Sequence, residues 1–134
     1  YGSFQGVSKM RLITVEQVVN LHYKMANATG GMTGVRDLNL LESALNNALS
    51  TFDGIDLYQI IEEKCANICF CLINNHPFID GNKRIGIYVM LVLLEYNSIY
   101  IDFTQKELID LGMGIAKGNL LQNNIVEWIY KHKI

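Results

Sequence analysis

Residues 76 to 84 read His-Pro-Phe-Ile-Asp-Gly-Asn-Lys-Arg, which puts four ionisable side chains and an amide within nine positions. Histidine exchanges its proton near neutral pH, so His76 could take a proton from an attacking hydroxyl. Asp80 offers hard oxygen ligands, suited to Mg²⁺ that arrives with phosphate oxygens and waters. Gly81 lets the backbone approach closely, as phosphate cradles require. Asn82 is expected to cap a following helix, whose free N–H groups and dipole make a positive end. Lys83 and Arg84 in that first turn are locally unfavourable, by about 0.3 to 1 kcal/mol per charge. An anion such as a polyphosphate at the helix start reverses the sign of that term. Phe78 reads as an anchor that packs the loop into the core. One His and one Asp do not make a closed zinc site. The plainer alternative is a solvated loop whose charges keep a hydrophobic hairpin in water. Convergence of His, Asp, Asn, Lys and Arg on one helix start favours a site.

The flanking segments set where this loop lies. The helix expected from Asp56 and Gln59 to about Asn75, and the one from Lys83 to Tyr96, are the most apolar of the chain. The loop between them therefore lies where core meets solvent. The Lys83–Tyr96 segment is apolar all round after Arg84, the mark of a buried central helix. Further upstream, Thr14 with Gln17 forms a capping-box pattern for a first helix to about Ala28, stopped by the glycines at 30, 31 and 34. Asn39 with Glu42 predicts a second helix through Leu49, and residues 50–54 break the pattern. After a turn at Asn97-Ser98 and an extended link at 99–103, Thr104 with Glu107 predicts a fifth helix to about Lys117. Asn119 with Gln122 predicts a sixth, ending in Lys131-His132-Lys133, where positive charge suits a helix C-terminus. No segment alternates strictly enough to nucleate a sheet, so the expected class is all-α. Among the remaining residues, His22 reads as a packed histidine, Glu62-Glu63 as a solvated face and Trp128 as core. Arg36-Asp37 suits either a local ion pair or a site contact.

The 134 residues are enough for one domain, and half of them are hydrophobic, which argues against disorder. Eleven basic against thirteen acidic residues leave a net charge of −2, without the basic excess expected of a nucleic-acid binder. The longest uncharged apolar stretch, 85–94, is too short to span a bilayer, which needs about 20 residues, and no secretory signal is apparent. Met10 would make a natural start, so residues 1–9 read as a remnant of protein production or a disordered tail, with the domain at 10–134. Cys65, Cys69 and Cys71 are odd in number and fall in one apolar segment, which suits buried thiols of a cytoplasmic protein better than disulfides or zinc.

The segment HPFIDGNKR resembles the Fic/Doc superfamily, in its death-on-curing (Doc) branch, whose motif is H-x-F-x-[N/D]-[A/G]-N-K-R. Upstream, GGMTGVRDLNLLESAL (residues 30–45) is similar to the Doc-branch G-G-x-x-G-x-x-D segment, so the resemblance spans nearly the whole chain from Met10. The implied fold is a helical bundle around a central helix, with a small β-hairpin flap that pins a target peptide. Ala48 to Ile55 match that flap, with Thr51, Phe52 and Asp53 as its candidate target-binding residues. Two departures from the adenylylating Fic form bear on mechanism. Lys83 stands where those members have glycine, and Ile87 where they have a second arginine.

Members with the Doc form are thought to hold ATP reversed and to transfer its γ-phosphate. The resemblance therefore implies a Mg²⁺- and ATP-dependent protein phosphotransferase with elongation factor Tu as target and growth arrest as outcome. His76 would be the general base and Asp80 the Mg²⁺ ligand. Gly81, Asn82, Lys83 and Arg84 would bind phosphate. Self-inhibiting Fic proteins carry [S/T]-x-x-x-E-[G/N], and no Ser or Thr here begins such a match. Inhibition would then come from a separate antitoxin of the Phd type. AMP transfer, an inactive binding module of the same fold, and a nucleic-acid-binding regulator on a helical scaffold are the competing readings.

Overall fold

The computed structural model describes residues 10–134, so the expectation for residues 1–9 lies outside it. Helix α1 (Val15–Thr29) opens on the expected capping box. The Thr14 hydroxyl accepts the Gln17 N–H, and the Gln17 side chain accepts the Thr14 N–H. It closes on Gly30 in the left-handed conformation. Helix α2 (Leu38–Asn46) starts before the Asn39–Glu42 pattern, because the Asp37 carboxylate accepts the Leu40 N–H at 3.0 Å and caps it instead. It ends at Asn46, and residues 47–49 tighten into a 3₁₀ turn.

A two-stranded hairpin follows, β1 (Thr51–Phe52) and β2 (Ile55–Asp56), with Thr51 opposite Asp56 and Phe52 opposite Ile55. Its two-residue loop, Asp53-Gly54, has positive φ at both positions, the geometry that suits the right-handed strand twist. The hairpin falls where the resemblance implied a small β-hairpin. Its presence delays helix α3 (Ile61–Asn75) beyond the expected start at Asp56 and Gln59. The Glu63 carboxylate closes that start by accepting the N–H groups of Gln59 and Ile60.

Helix α4 (Asn82–Tyr96) comes after the motif loop, followed by α5 (Gln105–Ala116) and α6 (Gln122–His132). Thr104 and Glu107 form the predicted capping box of α5. The start of α6 differs from the Asn119–Gln122 pattern. Asn119 folds back onto the Gly114 carbonyl, and Asn124 accepts the Leu121 N–H at 2.8 Å.

The fold is all-α apart from the hairpin, as expected. The centre is shared, however: α3 packs against α2, α4, α5 and α6, while α4 also meets α1. Gly86 of α4 permits the α3–α4 approach. A Cβ there would lie 2.7 Å from Ile73 Cγ1 and 3.2 Å from the Cys69 carbonyl oxygen. Glu62 is not on a solvated face; it is buried and pairs with Lys133, at the far end of the chain. Lys64, also buried, reaches the Asp56 carboxylate and the Tyr58 carbonyl, tying the hairpin to α3. Burial pushes the Cys65 thiol up to about 12, with the Glu62 charge adding to it, and raises Cys69 as well. Such thiols are inert, in keeping with a packing role. No helix of the described residues is long and apolar enough to cross a membrane.

Candidate active site

The loop between α3 and α4 is held from three sides. His76 ends α3 in the left-handed conformation, φ 50 and ψ 56, and Pro77 after it disfavours any continuation of the right-handed helix. The Arg36 guanidinium then grips the end of α3, donating to the carbonyls of His76 (2.7 Å) and Asn75 (3.0 Å). This settles Arg36-Asp37: one caps the C-terminus of α3, the other the N-terminus of α2. The main chain continues the clamp through Arg36 and Asp37 N–H to the Pro77 carbonyl, and through Ile79 N–H to the Gly34 carbonyl.

Phe78 is the anchor the sequence suggested, 1% exposed and stacked face to face on His22 with centroids 3.9 Å apart. Asn82 does not cap α4. Its amide turns back onto Phe78, accepting the Phe78 N–H at 2.9 Å and donating to the Phe78 carbonyl at 3.0 Å. The N-cap is Gly81, at φ 77. The first intrahelical bond runs from Ile85 N–H to the Gly81 carbonyl, which leaves the amides of Asn82, Lys83 and Arg84 without an acceptor among the described residues.

Those three amides meet the exposed Lys83 and Arg84 side chains, which form no ion pair among the described residues. Asp80, Gly81, Asn82, Lys83 and Arg84 all line one cleft of about 1040 Å³, whose other walls come from α1, the glycine loop after it, and α5. His76 and Phe78 are outside that lining, as are Thr51, Phe52 and Asp53 of the hairpin. The hairpin is nonetheless an exposed element, with Phe52 turned out to solvent. The Asp80 carboxylate is oriented by two backbone donors, Met32 N–H on Oδ2 (3.1 Å) and Gly81 N–H on Oδ1 (2.9 Å). Each oxygen keeps lone pairs free. Among the described residues no three His, Cys, Asp or Glu side chains gather to hold a metal by themselves. A single oriented carboxylate fits Mg²⁺, which takes its other ligands from phosphate and water.

Three contributors have partners that the sequence did not identify: Arg36, left open there between an ion pair and a site contact, the Met32 amide, and His22, read there only as packed. Each reaches the loop across 39 to 58 residues of chain, beyond any spacing pattern.

This constellation sets an oriented carboxylate beside a cationic helix start, on a helical fold. The Fic/DOC family profile matches residues 12–94, well over half of the chain. The chain belongs to the Fic/DOC family. It is similar to the Toxin Doc of Mycolicibacterium smegmatis, 34% identical over 74 residues that span 55% of this chain and 57% of that protein. It is also similar to the Protein kinase doc of Escherichia phage P1, 25% identical over 118 residues, 88% of this chain and 92% of that one. Both relatives carry the Doc name, in agreement with the Doc form of the motif at 76–84.

Proposed function

We propose that this chain is a Doc-type toxin that transfers the γ-phosphate of ATP to a Thr or Ser hydroxyl of a protein, with elongation factor Tu as the target. The observation that carries this reading is the shared cleft. The Asp80 carboxylate, with three amides and two cations that have no partner among the described residues, suits a polyphosphate with its metal. The family's use of ATP and the name Protein kinase doc support it further.

In the mechanism, His76 takes the proton of the target hydroxyl as that oxygen attacks the γ-phosphorus. The bond from that phosphorus to the bridging oxygen breaks, and ADP leaves. Lys83, Arg84 and the amides of the α4 start hold the charge that gathers on the transferred group. Asn82 keeps those amides in place through Phe78. Asp80 would hold Mg²⁺, which when bound would neutralise charge on the phosphate oxygens. The exposed hairpin at 51–56 offers its edge to the target chain. A cytoplasmic location and silencing by a Phd-type antitoxin complete the proposal.

The test is label transfer to purified elongation factor Tu with Mg²⁺, using α- and γ-labelled ATP side by side. Label from the γ-position alone is expected, reduced about 10²- to 10⁴-fold by His76→Ala. Label from the α-position would mean AMP transfer. Silence from both would favour an inactive binding module.

A further inference from the structure

We infer that His22 is a positioning residue for Asp80. Its Nε2–H donates to the Asp80 carbonyl while its ring lies on Phe78, and together these hold the Asp80 carboxylate at the cleft. The inference rests on the reading of Asp80 as the metal ligand. His22 is 1% exposed on α1, and its Nε2 lies 2.7 Å from the Asp80 carbonyl oxygen. A carbonyl only accepts, so Nε2 must carry the proton. The ring also lies against Gly81, where a Cβ would come 3.5 Å from Nε2. Beyond α1, the Met32 amide takes the Asp80 carboxylate at Oδ2. Asp80 is thus held at its main chain by α1 and at its side chain by the loop that ends α1.

Such a hold matters more here than in a closed metal site. With one protein carboxylate in place of a ligand cage, no second side chain corrects a misplaced oxygen, and orientation falls to the groups behind the ligand. Phe at position 22 keeps a ring to stack on Phe78 but removes the donor. Gln keeps a donor at nearly the Nε2 position but loses the ring.

Binding of the non-hydrolysable analogue AMP-PNP is measured in Mg²⁺ and in EDTA for the natural chain, Asp80→Asn, His22→Phe and His22→Gln. Asp80→Asn is expected to abolish the Mg²⁺-dependent gain in affinity. His22→Phe is expected to lose about 10- to 100-fold of that gain, the range for groups behind a metal ligand, with affinity in EDTA unchanged. His22→Gln is expected to recover most of it. ¹⁵N NMR of the natural chain, read directly on the ring, is expected to place the proton on Nε2. The inference is overturned if His22→Phe keeps the gain that Asp80→Asn loses, or if it weakens binding equally with and without Mg²⁺. A proton found on Nδ1 alone also overturns it. If Asp80→Asn keeps the gain, the metal reading of Asp80 fails first and the role of His22 with it. Should His22→Phe not fold, the ring proton and His22→Gln decide.

Discussion

At Asn82 a single amide closes a loop. Both of its polar ends meet the backbone of Phe78, whose ring is buried on His22. Asn82→Ala leaves the Phe78 N–H and carbonyl buried and unpartnered, each worth about 1 to 3 kcal/mol. The expected loss is about 2 to 4 kcal/mol of unfolding free energy, read from urea denaturation. A loss under about 0.5 kcal/mol would mean that water takes over both bonds. Asn82→Asp is expected to be no better, since a carboxylate accepts the N–H but faces the carbonyl with like charge. By residue type, an asparagine at the head of a helix is a capping residue. Spacing alone could not tell whether Asn82 caps α4 or seals the loop before it. Burial of Phe78 decides, and burial is a property of the folded chain. His76 and Asp80 stand out as candidates because the motif is contiguous; the partners of Arg36 and His22 at this loop could not be read, because they are 39 to 58 residues away along the chain.

Between elements, the most extensive packing is that of α3 and α4, which carry the motif loop between them. Gly86 sets their distance, since a Cβ there would meet Ile73 Cγ1 at 2.7 Å and the Cys69 carbonyl at 3.2 Å. The isoleucine can rotate, but the carbonyl belongs to a helix backbone and cannot. Gly86→Ala gains helix propensity, up to about 1 kcal/mol, yet must separate two central helices, at about 1 to 3 kcal/mol. A net loss near 1 kcal/mol is expected in thermal or urea unfolding; a gain in stability would show that the helices slide apart freely. The glycine's role was hidden in the sequence, where it reads only as a weak spot in an apolar helix. Helix starts were legible where the cap is local, as at Thr14 with Gln17 and Thr104 with Glu107. They shifted where a neighbour outside the pattern took over, as Asp37 did for α2. The hairpin was carried by the resemblance, although Asp53-Gly54 is itself a strong two-residue turn signal. Strands of two residues are too short to show alternation, so periodicity could not reveal them.

Across the whole molecule, the last residues fasten the chain to itself. Lys133 pairs with Glu62 of α3, and the Asp102 and Ile134 amides bond to the His132 and Tyr100 carbonyls. His132 joins the end of α6 to the start of α5, with Nε2 2.8 Å from Glu107 and Nδ1 2.7 Å from the Trp128 carbonyl. Both ring nitrogens thus face acceptors, which favours the doubly protonated ring. Glu107 is pulled down to about 2, first by the hydrogen bond from His132 and then by the Thr104 amide. For His132, burial works against the charged form, but the bonds to Glu107 and Trp128 outweigh it and the Lys131 charge, leaving the ring above its usual value. The signs then follow. A depressed carboxyl stabilises above its unfolded value and loses that contribution as pH falls toward 2. A raised imidazole stabilises below its unfolded value and loses that contribution as pH rises through the folded one. With ordinary values of 4.5 for Glu107 and 6.5 for His132, the pair contributes most between pH 4.5 and 6.5. The melting temperature of the natural chain minus that of Glu107→Gln is therefore expected to be largest in that window and to shrink on both sides of it. Melting curves at pH 3, 5.5 and 9 check this, and a difference that is flat across all three would show that the ring is neutral and the tie merely steric. Because Glu107 is open to water, the difference is also expected to narrow as salt is raised at pH 5.5.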